Sequence, residues 1–298
     1  MRIGIDLGGT KIEGIAIDSN GHVLVRQRID TPPTYTEAIK AICNLINSIE
    51  SQQSREGSIG IGHPGSNSPT TGLIRNANSV WLNDRPLVQD LERMLSRTVR
   101  SANDADCFAL SEACDGAGAG RHIVFGVIIG TGVGGGIVID GELVSGAQKI
   151  AGEWGHNPLP WPTKSELNGP QCWCGRNQCI ETWLSGPAMA AEFTRETGSQ
   201  KSPREIFSAA EWGDTDAVLA RQRYTHRLAR ALASVINLVD PDIVVLGGGV
   251  SNADGIAQSV QAQLPAYVFS DKVQTRIVTN AHGDSSGVRG AAWLWPAI

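Results

Sequence analysis

An aspartate inside an apolar strand that ends in two glycines most limits what this chain can become. The stretch is Ile3-Gly4-Ile5-Asp6-Leu7-Gly8-Gly9-Thr10-Lys11. A short apolar run closed by glycines reads as a buried strand entering a tight turn. Past the turn, Lys11, Glu13, Ile15 and Ile17 resume a strand pattern, and Asp18-Ser19-Asn20-Gly21 is the next turn. The glycine turn therefore joins two strands of a hairpin. An unpartnered carboxylate at Asp6 would be costly there. The backbone N–H groups of Gly8 and Gly9, the Thr10 hydroxyl and the Lys11 ammonium suit a phosphate. Asp6 suits a magnesium ion, which prefers oxygen ligands. The run is not a P-loop, because G-x-x-x-x-G-K-[ST] is missing and no helix follows. An ordinary Gly-Gly turn would look the same in isolation.

The same grammar returns 122 residues later, where GVIIGTGVGGGIVID from Gly126 aligns without gaps to GIDLGGTKIEGIAID from Gly4. Gly8 meets Gly130, Gly14 meets Gly136, and Ile15, Ile17 and Asp18 meet Ile137, Ile139 and Asp140. Two strand–glycine turn–strand units predict two like domains facing each other across a cleft. Ile128 stands where the first copy has Asp6, so only the first copy would hold the metal.

A chain of 298 residues allows one large or two modest domains, and its 41% apolar content can build a core. The net charge of −5 gives no basic footprint, so nucleic acid is not the expected partner. No apolar run reaches membrane-spanning length and no signal-peptide core follows Met1, so a cytoplasmic protein without a membrane partner is expected.

Helical spacing recurs at Ala38, Ile39, Ile42, Leu45, Ile46 and Ile49. A strand, Ser58-Ile-Gly-Ile-Gly62, runs into His63-Pro64-Gly65, and Asn76, Asn78 and Asn83 gather after it. Leu87–Leu95 reads as helix, Thr98–Ala102 as strand, and Asn103-Asp104 opens a helix reaching about Gly116. The Gly- and Ala-rich run Gly116–Arg121 is the expected crossover between domains. Helices are predicted over Gly186–Glu196, Pro203–Ala210 and Thr215–Val239. Asp242–Leu246 is an apolar strand entering Gly247-Gly248-Gly249, and the tail from Ser286 is a helix of small and aromatic residues.

Gly130-Thr-Gly132-Val-Gly-Gly135 matches the dinucleotide fingerprint, but a D-G hairpin follows instead of the required helix. A Rossmann dehydrogenase is not expected on that context. Asp104 has two readings. As an N-cap it would satisfy helix N–H groups; as a general base it would take a proton from an attacking hydroxyl in phosphoryl transfer. Asn78, Asn103, Glu153, His156 and Glu181 are the amide, carboxylate and imidazole types that recognise sugar hydroxyls. His156 with Cys172, Cys174 and Cys179 reads as a Cys3His site for structural zinc, closed to water. Three cysteines within eight residues otherwise serve only as reduced loop thiols.

These motifs together resemble the ROK family (repressor, open reading frame, kinase) of sugar kinases. The matching residues are Asp6-Leu-Gly-Gly-Thr-Lys11, Gly62-His-Pro-Gly65, Asn103-Asp104, Gly130-Thr-Gly-Val-Gly134, Glu153-Trp-Gly-His156, the cysteines through Glu181, and Gly247-Gly-Gly249. The resemblance implies an α/β chain with a two-domain actin-like ATPase (ribonuclease H-like) fold, an interdomain cleft and a homodimer. Its domains would be 1–118, with the helix at about 286–298 packing back on it, and 119–285 carrying the zinc loop. ATP phosphates would lie at Gly8–Lys11 and Thr131-Gly132, the nucleoside near Gly248 and Gly249, and Asp104 would be the base. Sugar contacts would be Gly65, Asn78, Asn103, Asp104, Glu153, His156 and Glu181. The histidine would use one ring nitrogen for zinc and the other for sugar.

Within that family, Ala151-Gly-Glu-Trp-Gly-His-Asn-Pro-Leu-Pro-Trp161 resembles the fructokinase/mannokinase branch. The expected reaction is ATP-dependent conversion of D-fructose to fructose 6-phosphate, with ATP, Mg2+ and structural Zn2+. A glucose, mannose or N-acetylhexosamine kinase is the alternative, as is a non-catalytic sugar sensor. The DNA-binding repressors of the family carry a reading head before the kinase-like part; here Met1 leads directly into the first strand, so none is expected. Two positions depart from the family pattern: Gln178 replaces a glycine, and His63 replaces a small aliphatic.

Overall fold

In the computed structural model, residues 1–296 are described. The elements run β1 (Arg2–Leu7), β2 (Lys11–Ile17), β3 (Val23–Asp30), α1 (Tyr35–Gln53), β4 (Ser58–His63), β5 (Ser66–Asn67) and β6 (Ile74–Arg75). Next come α2 (Leu87–Leu95), β7 (Val99–Asn103), α3 (Asp104–Cys114), β8 (Ile123–Ile129), β9 (Val133–Ile139) and β10 (Glu142–Leu143). Then follow α4 (Glu181–Leu184), α5 (Gly186–Thr197), α6 (Pro203–Glu211), α7 (Thr215–Val239), β11 (Ile243–Gly247), α8 (Ile256–Gln261), β12 (Arg276–Thr279) and α9 (Ser286–Trp293). The sequence predicts a tail helix over about 286–298; helix α9 stops at Trp293, and residues 297–298 lie outside the described residues.

Two compact units divide the chain. The first takes residues 1–120, 136–151 and the stretch from 284 onward; the second takes 121–135 and 152–283. The division cuts β9 between Gly135 and Gly136.

The first sheet has the order β3-β2-β1-β4-β7. β1 pairs antiparallel with β2 and parallel with β4, and β4 pairs parallel with β7. One face is covered by α1, whose Ile39, Ile42, Leu45, Ile46 and Ile49 meet Ile3, Ile5 and Ile61 in one apolar cluster. Helix α9 covers the other: Val288 and Ala292 pack on Ile15 and Ile17. A Cβ on Gly60 would stand 1.8 Å from the Ala291 carbonyl oxygen, so the helix backbone lies directly on the strand. Burying each of these Ile, Leu and Val side chains contributes about 1.5–3 kcal/mol relative to exposure.

The second sheet has the order β10-β9-β8-β11-β12, with β8, β11 and β12 parallel and β9 antiparallel to β10. Strand for strand this repeats the first sheet, as the 122-residue offset of the two glycine hairpins requires. In the second unit α7 packs with α4, α5, α6 and α8. Its Arg227 and Arg230 are buried, and both bond the buried Glu166, at 2.8 Å. Arg227 also grips Glu192 through both terminal nitrogens. Removing either partner would strand a buried charge, which costs several kcal/mol.

Candidate active site

The first unit brings Asp6, the glycine hairpin and the β7–α3 junction to the same end of its sheet, at the C-terminal ends of the parallel strands β1 and β7. Asp6 sits opposite Glu13 in the β1–β2 ladder. Glu13 is buried and paired with Arg26 and Arg28. Burial raises the Asp6 carboxyl, the charges of Asp104 and Glu13 add to this, and its pKa reaches about 7. Such a group gains most from a nearby cation. Gly8 N–H bonds Lys11 O at 3.0 Å, and Thr31 ties down Gly8 O and Thr10 O. The hairpin tip is thereby held while Gly9, Thr10 and Lys11 stay exposed.

At the start of α3 the structure separates two residues that the sequence reading paired. Asn103, not Asp104, is the N-cap: its Oδ1 accepts from Ala105 N–H at 2.9 Å. The cap reading of Asp104 is corrected accordingly. Asp104 is the first helical residue, exposed, with Oδ1 also accepting from Ala105 N–H at 2.8 Å. Asn103 Nδ2 donates to Gly65 O at 3.0 Å, joining two predicted sugar residues. Gly65 has φ +75°, and a Cβ there would meet Arg75 O at 2.4 Å, so only glycine lets this loop close on residues 75–77. Asn78 lies in the adjoining exposed loop, which Asn83 pins through both polar groups of Ala77.

His63 does not line this surface. It is fully buried, with Nδ1 at 3.0 Å from Pro64 O and Nε2 at 3.3 Å from Asn67 Nδ2. The carbonyl requires the proton on Nδ1, so Nε2 accepts from the amide. Burial pushes its pKa down to about 4, which keeps the ring neutral.

In the second unit the predicted nucleotide residues converge. Gly130 O accepts from Gly186 N–H at 2.8 Å, at the start of α5. Ile129 O accepts from Val250 N–H at 3.2 Å, which lays the Gly248-Gly249 loop against the base of the β8–β9 hairpin. Gly248, at φ +87°, would place a Cβ 2.4 Å from Ile129 O. Thr131 is exposed at the hairpin tip and Gly132 half-buried beside it.

The same hairpin meets Glu181. Its Oε2 accepts from Val133 N–H at 2.9 Å, and its Oε1 from the Trp173 indole at 2.7 Å. Glu153 opens the single 3-10 turn that ends at His156. Asn157–Leu159 then pairs with residues 178–180, through Leu159 N–H to Gln178 O at 2.9 Å and Ile180 N–H to Asn157 O at 2.8 Å. This ladder joins the segments that follow His156 and precede Glu181, and both residues meet Trp173. Trp154 points elsewhere: it is buried, edge-on to Phe125, and its indole donates to Gly134 O at 3.0 Å.

His156, Cys172, Cys174 and Cys179 present four donor atoms within 4.8 Å of one another, and the thiols are reduced. Nδ1 of His156 is 3.6 Å from Cys172 Sγ, and Cys174 Sγ is 3.6 Å from Cys179 Sγ. A zinc tetrahedron has ligand-to-ligand edges of roughly 3.5–3.8 Å, so the residues fit a closed zinc site. Gln178 holds φ +65°, which explains why a glycine is the easier choice there. Its backbone nevertheless bonds Pro170 and Leu159, so the loop keeps its shape.

Sequence reasoning missed Trp173, Val133 and the Glu13–Arg28 pair. Only Trp173 carried a signal, an indole wedged between two candidate ligands.

Comparison with known proteins adds the family. The ROK family profile matches residues 2–298. This chain belongs to the ROK family. An N-acetyl-D-glucosamine kinase of Salmonella paratyphi C is 38% identical over 99% of both chains. Among solved structures, the ROK hexokinase of Thermus thermophilus superposes with a TM-score of 0.88 at 30% identity, covering 98% of this chain and 96% of that one. A ROK glucokinase from Streptomyces griseus, solved with glucose and AMPPNP, gives 0.79 at 28% identity over 98% of both. The fold is the actin-like ATPase fold of these ROK kinases. None of the helices among the described residues is long and apolar enough to cross a membrane.

Proposed function

We propose that this chain is an ATP-dependent hexose kinase, with D-fructose as its first substrate and fructose 6-phosphate as product. The support for fructose is the stretch Ala151–Trp161, which resembles fructokinases; its Asn157–Leu159 part pairs with residues 178–180, next to Glu181. Trp154, from the same stretch, is buried on Phe125 and bonded to Gly134 O in the glycine hairpin. A second reading, N-acetyl-D-glucosamine, is favoured by the 38% identity to kinases of that sugar. One or two pocket atoms separate such substrates.

In this reading Asp104 accepts the proton of the attacking hydroxyl, while Gly65, Asn78 and Asn103 contact the sugar from the same unit. Glu153, His156 and Glu181 are the further sugar contacts proposed. Gly8–Lys11, Thr131-Gly132 and Gly248-Gly249 hold ATP. Bound Mg2+ would neutralise phosphate charge, with Asp6 as its protein ligand. His156, Cys172, Cys174 and Cys179 would hold structural zinc. The functional domains would be 1–118 with the C-terminal helix, and 119–285; the protein would act as a cytoplasmic homodimer. Light scattering that gives a single-chain mass at working concentration removes the dimer.

A coupled ADP-release assay across fructose, mannose, glucose, N-acetylglucosamine and N-acetylmannosamine tests the substrate. Highest kcat/KM on fructose supports the first reading. Highest on N-acetylglucosamine replaces it with the second, and no turnover on any sugar refutes the kinase.

A further inference from the structure

We infer that Trp173 is a positioning residue for the sugar site, acting through Glu181. The inference rests on the proposed role of Glu181 as a sugar contact.

Trp173 is 64% exposed, an unusual position for the largest apolar side chain. It makes two defined contacts. Its indole N–H donates to Glu181 Oε1 at 2.7 Å. Its ring stands edge-on to His156, with centroids 5.0 Å apart and planes at 85°. Both neighbours are proposed sugar contacts.

The second donor near Oε1 is Cys172 Sγ, at 3.9 Å. As a zinc thiolate Cys172 has no proton to give, so the indole is the donor that remains. The other oxygen, Oε2, is taken by Val133 N–H at the β8–β9 hairpin. Glu181 is thus held at both ends, by the cysteine loop through Trp173 and by the glycine hairpin through Val133. A carboxylate fixed by two donors keeps one rotamer, and its remaining lone pairs face a sugar hydroxyl in constant geometry. Gly132 belongs to the same arrangement, since a Cβ there would fall 2.6 Å from Oε2.

An indole is suited to this position because it combines a rigid ring with one N–H and no acceptor. Phenylalanine keeps the ring edge on His156 and removes only the donor. In Trp173→Phe, calorimetric Kd for D-fructose without ATP should rise about 10- to 100-fold, the usual effect of losing one hydrogen bond to a charged group. KM for the sugar should rise with it, and KM for ATP should rise in the same direction through Val133. Turnover should stay within about threefold, because the lost contact is made equally in ground and transition states. Zinc content and Tm should match the parent protein. Unchanged Kd and KM overturn the inference, as does a fall in zinc content or Tm, which would make Trp173 a part of the metal loop alone. Glu181→Gln is measured alongside. If that variant binds sugar like the parent, the role of Glu181 fails whatever Trp173→Phe does; if it binds weakly while Trp173→Phe binds normally, only the positioning role fails. Should another hexose turn over fastest in the substrate panel, that hexose replaces fructose as the probe.

Discussion

Replacing Asp104 by asparagine separates catalysis from folding at one side chain. The cap of α3 belongs to Asn103, whose Oδ1 holds Ala105 N–H, so the substitution leaves the cap in place. Asp104 is exposed at the first helical position, and its Oδ1 bond to Ala105 N–H can be kept by an amide oxygen. The loss is then one favourable charge at a helix N-terminus, about 0.3–1 kcal/mol. Part of it is returned, because Asp104 is one of the charges that raise the Asp6 carboxyl. The expected change in Tm is at most roughly 2–4 °C in a domain of this size. Turnover behaves differently. An amide cannot accept the hydroxyl proton, and kcat should fall by about 10²–10⁴, the usual share of general acid–base catalysis. Sugar Kd should change by less than about tenfold. The assay is kcat by coupled ADP release beside a thermal melt of the same preparation. Asn103→Ala provides the contrast: it removes the cap and the Gly65 bond, and should cost about 0.5–2 kcal/mol. Near-parent turnover in Asp104→Asn refutes the proposed mechanism.

Three further outcomes are expected. Elemental analysis should find about one zinc per chain, and Cys172→Ser or a strong chelator should lower Tm, because zinc binding is coupled to folding. Equal stability of the metal-free protein would remove the zinc assignment. Buried His63 is neutral in the fold, its pKa lowered from 6.5 to about 4, so the unfolded chain binds the extra proton between those values. That contribution to stability is present above about pH 6.5 and is lost as pH falls toward 4. His63→Leu should flatten this part of the stability–pH curve, read by denaturant unfolding at steps of pH; an unchanged slope would show that other groups carry it. Gly132→Ala should weaken ATP and sugar affinity together, because its methyl group would displace Glu181 Oε2; normal affinity for both would show that the hairpin tolerates the shift.

Much of this protein was set by local sequence. The apolar spacing of Thr215–Val239 and Leu87–Leu95 marks the helices at the observed residues, because each period records which side faces a core. The paired glycine hairpins declare a repeat, and the repeated strand order of the two sheets bears it out. The cysteine spacing names the Cys3His cluster, since its three thiols lie in one loop. Tertiary structure decided what depends on residues far apart in the chain. Whether Asn103 or Asp104 caps α3 follows from the φ and ψ at which β7 meets the helix, and either residue type suits a cap. Trp154 and Trp173 sit in similar Gly-rich, polar surroundings in sequence, yet one is buried on Phe125 and the other exposed on Glu181. Glu166 reads as a surface carboxylate until α7 brings Arg227 and Arg230 to it, more than 60 residues later. Such pairings are chosen by packing and by the cost of leaving a buried charge alone, and no local pattern records them.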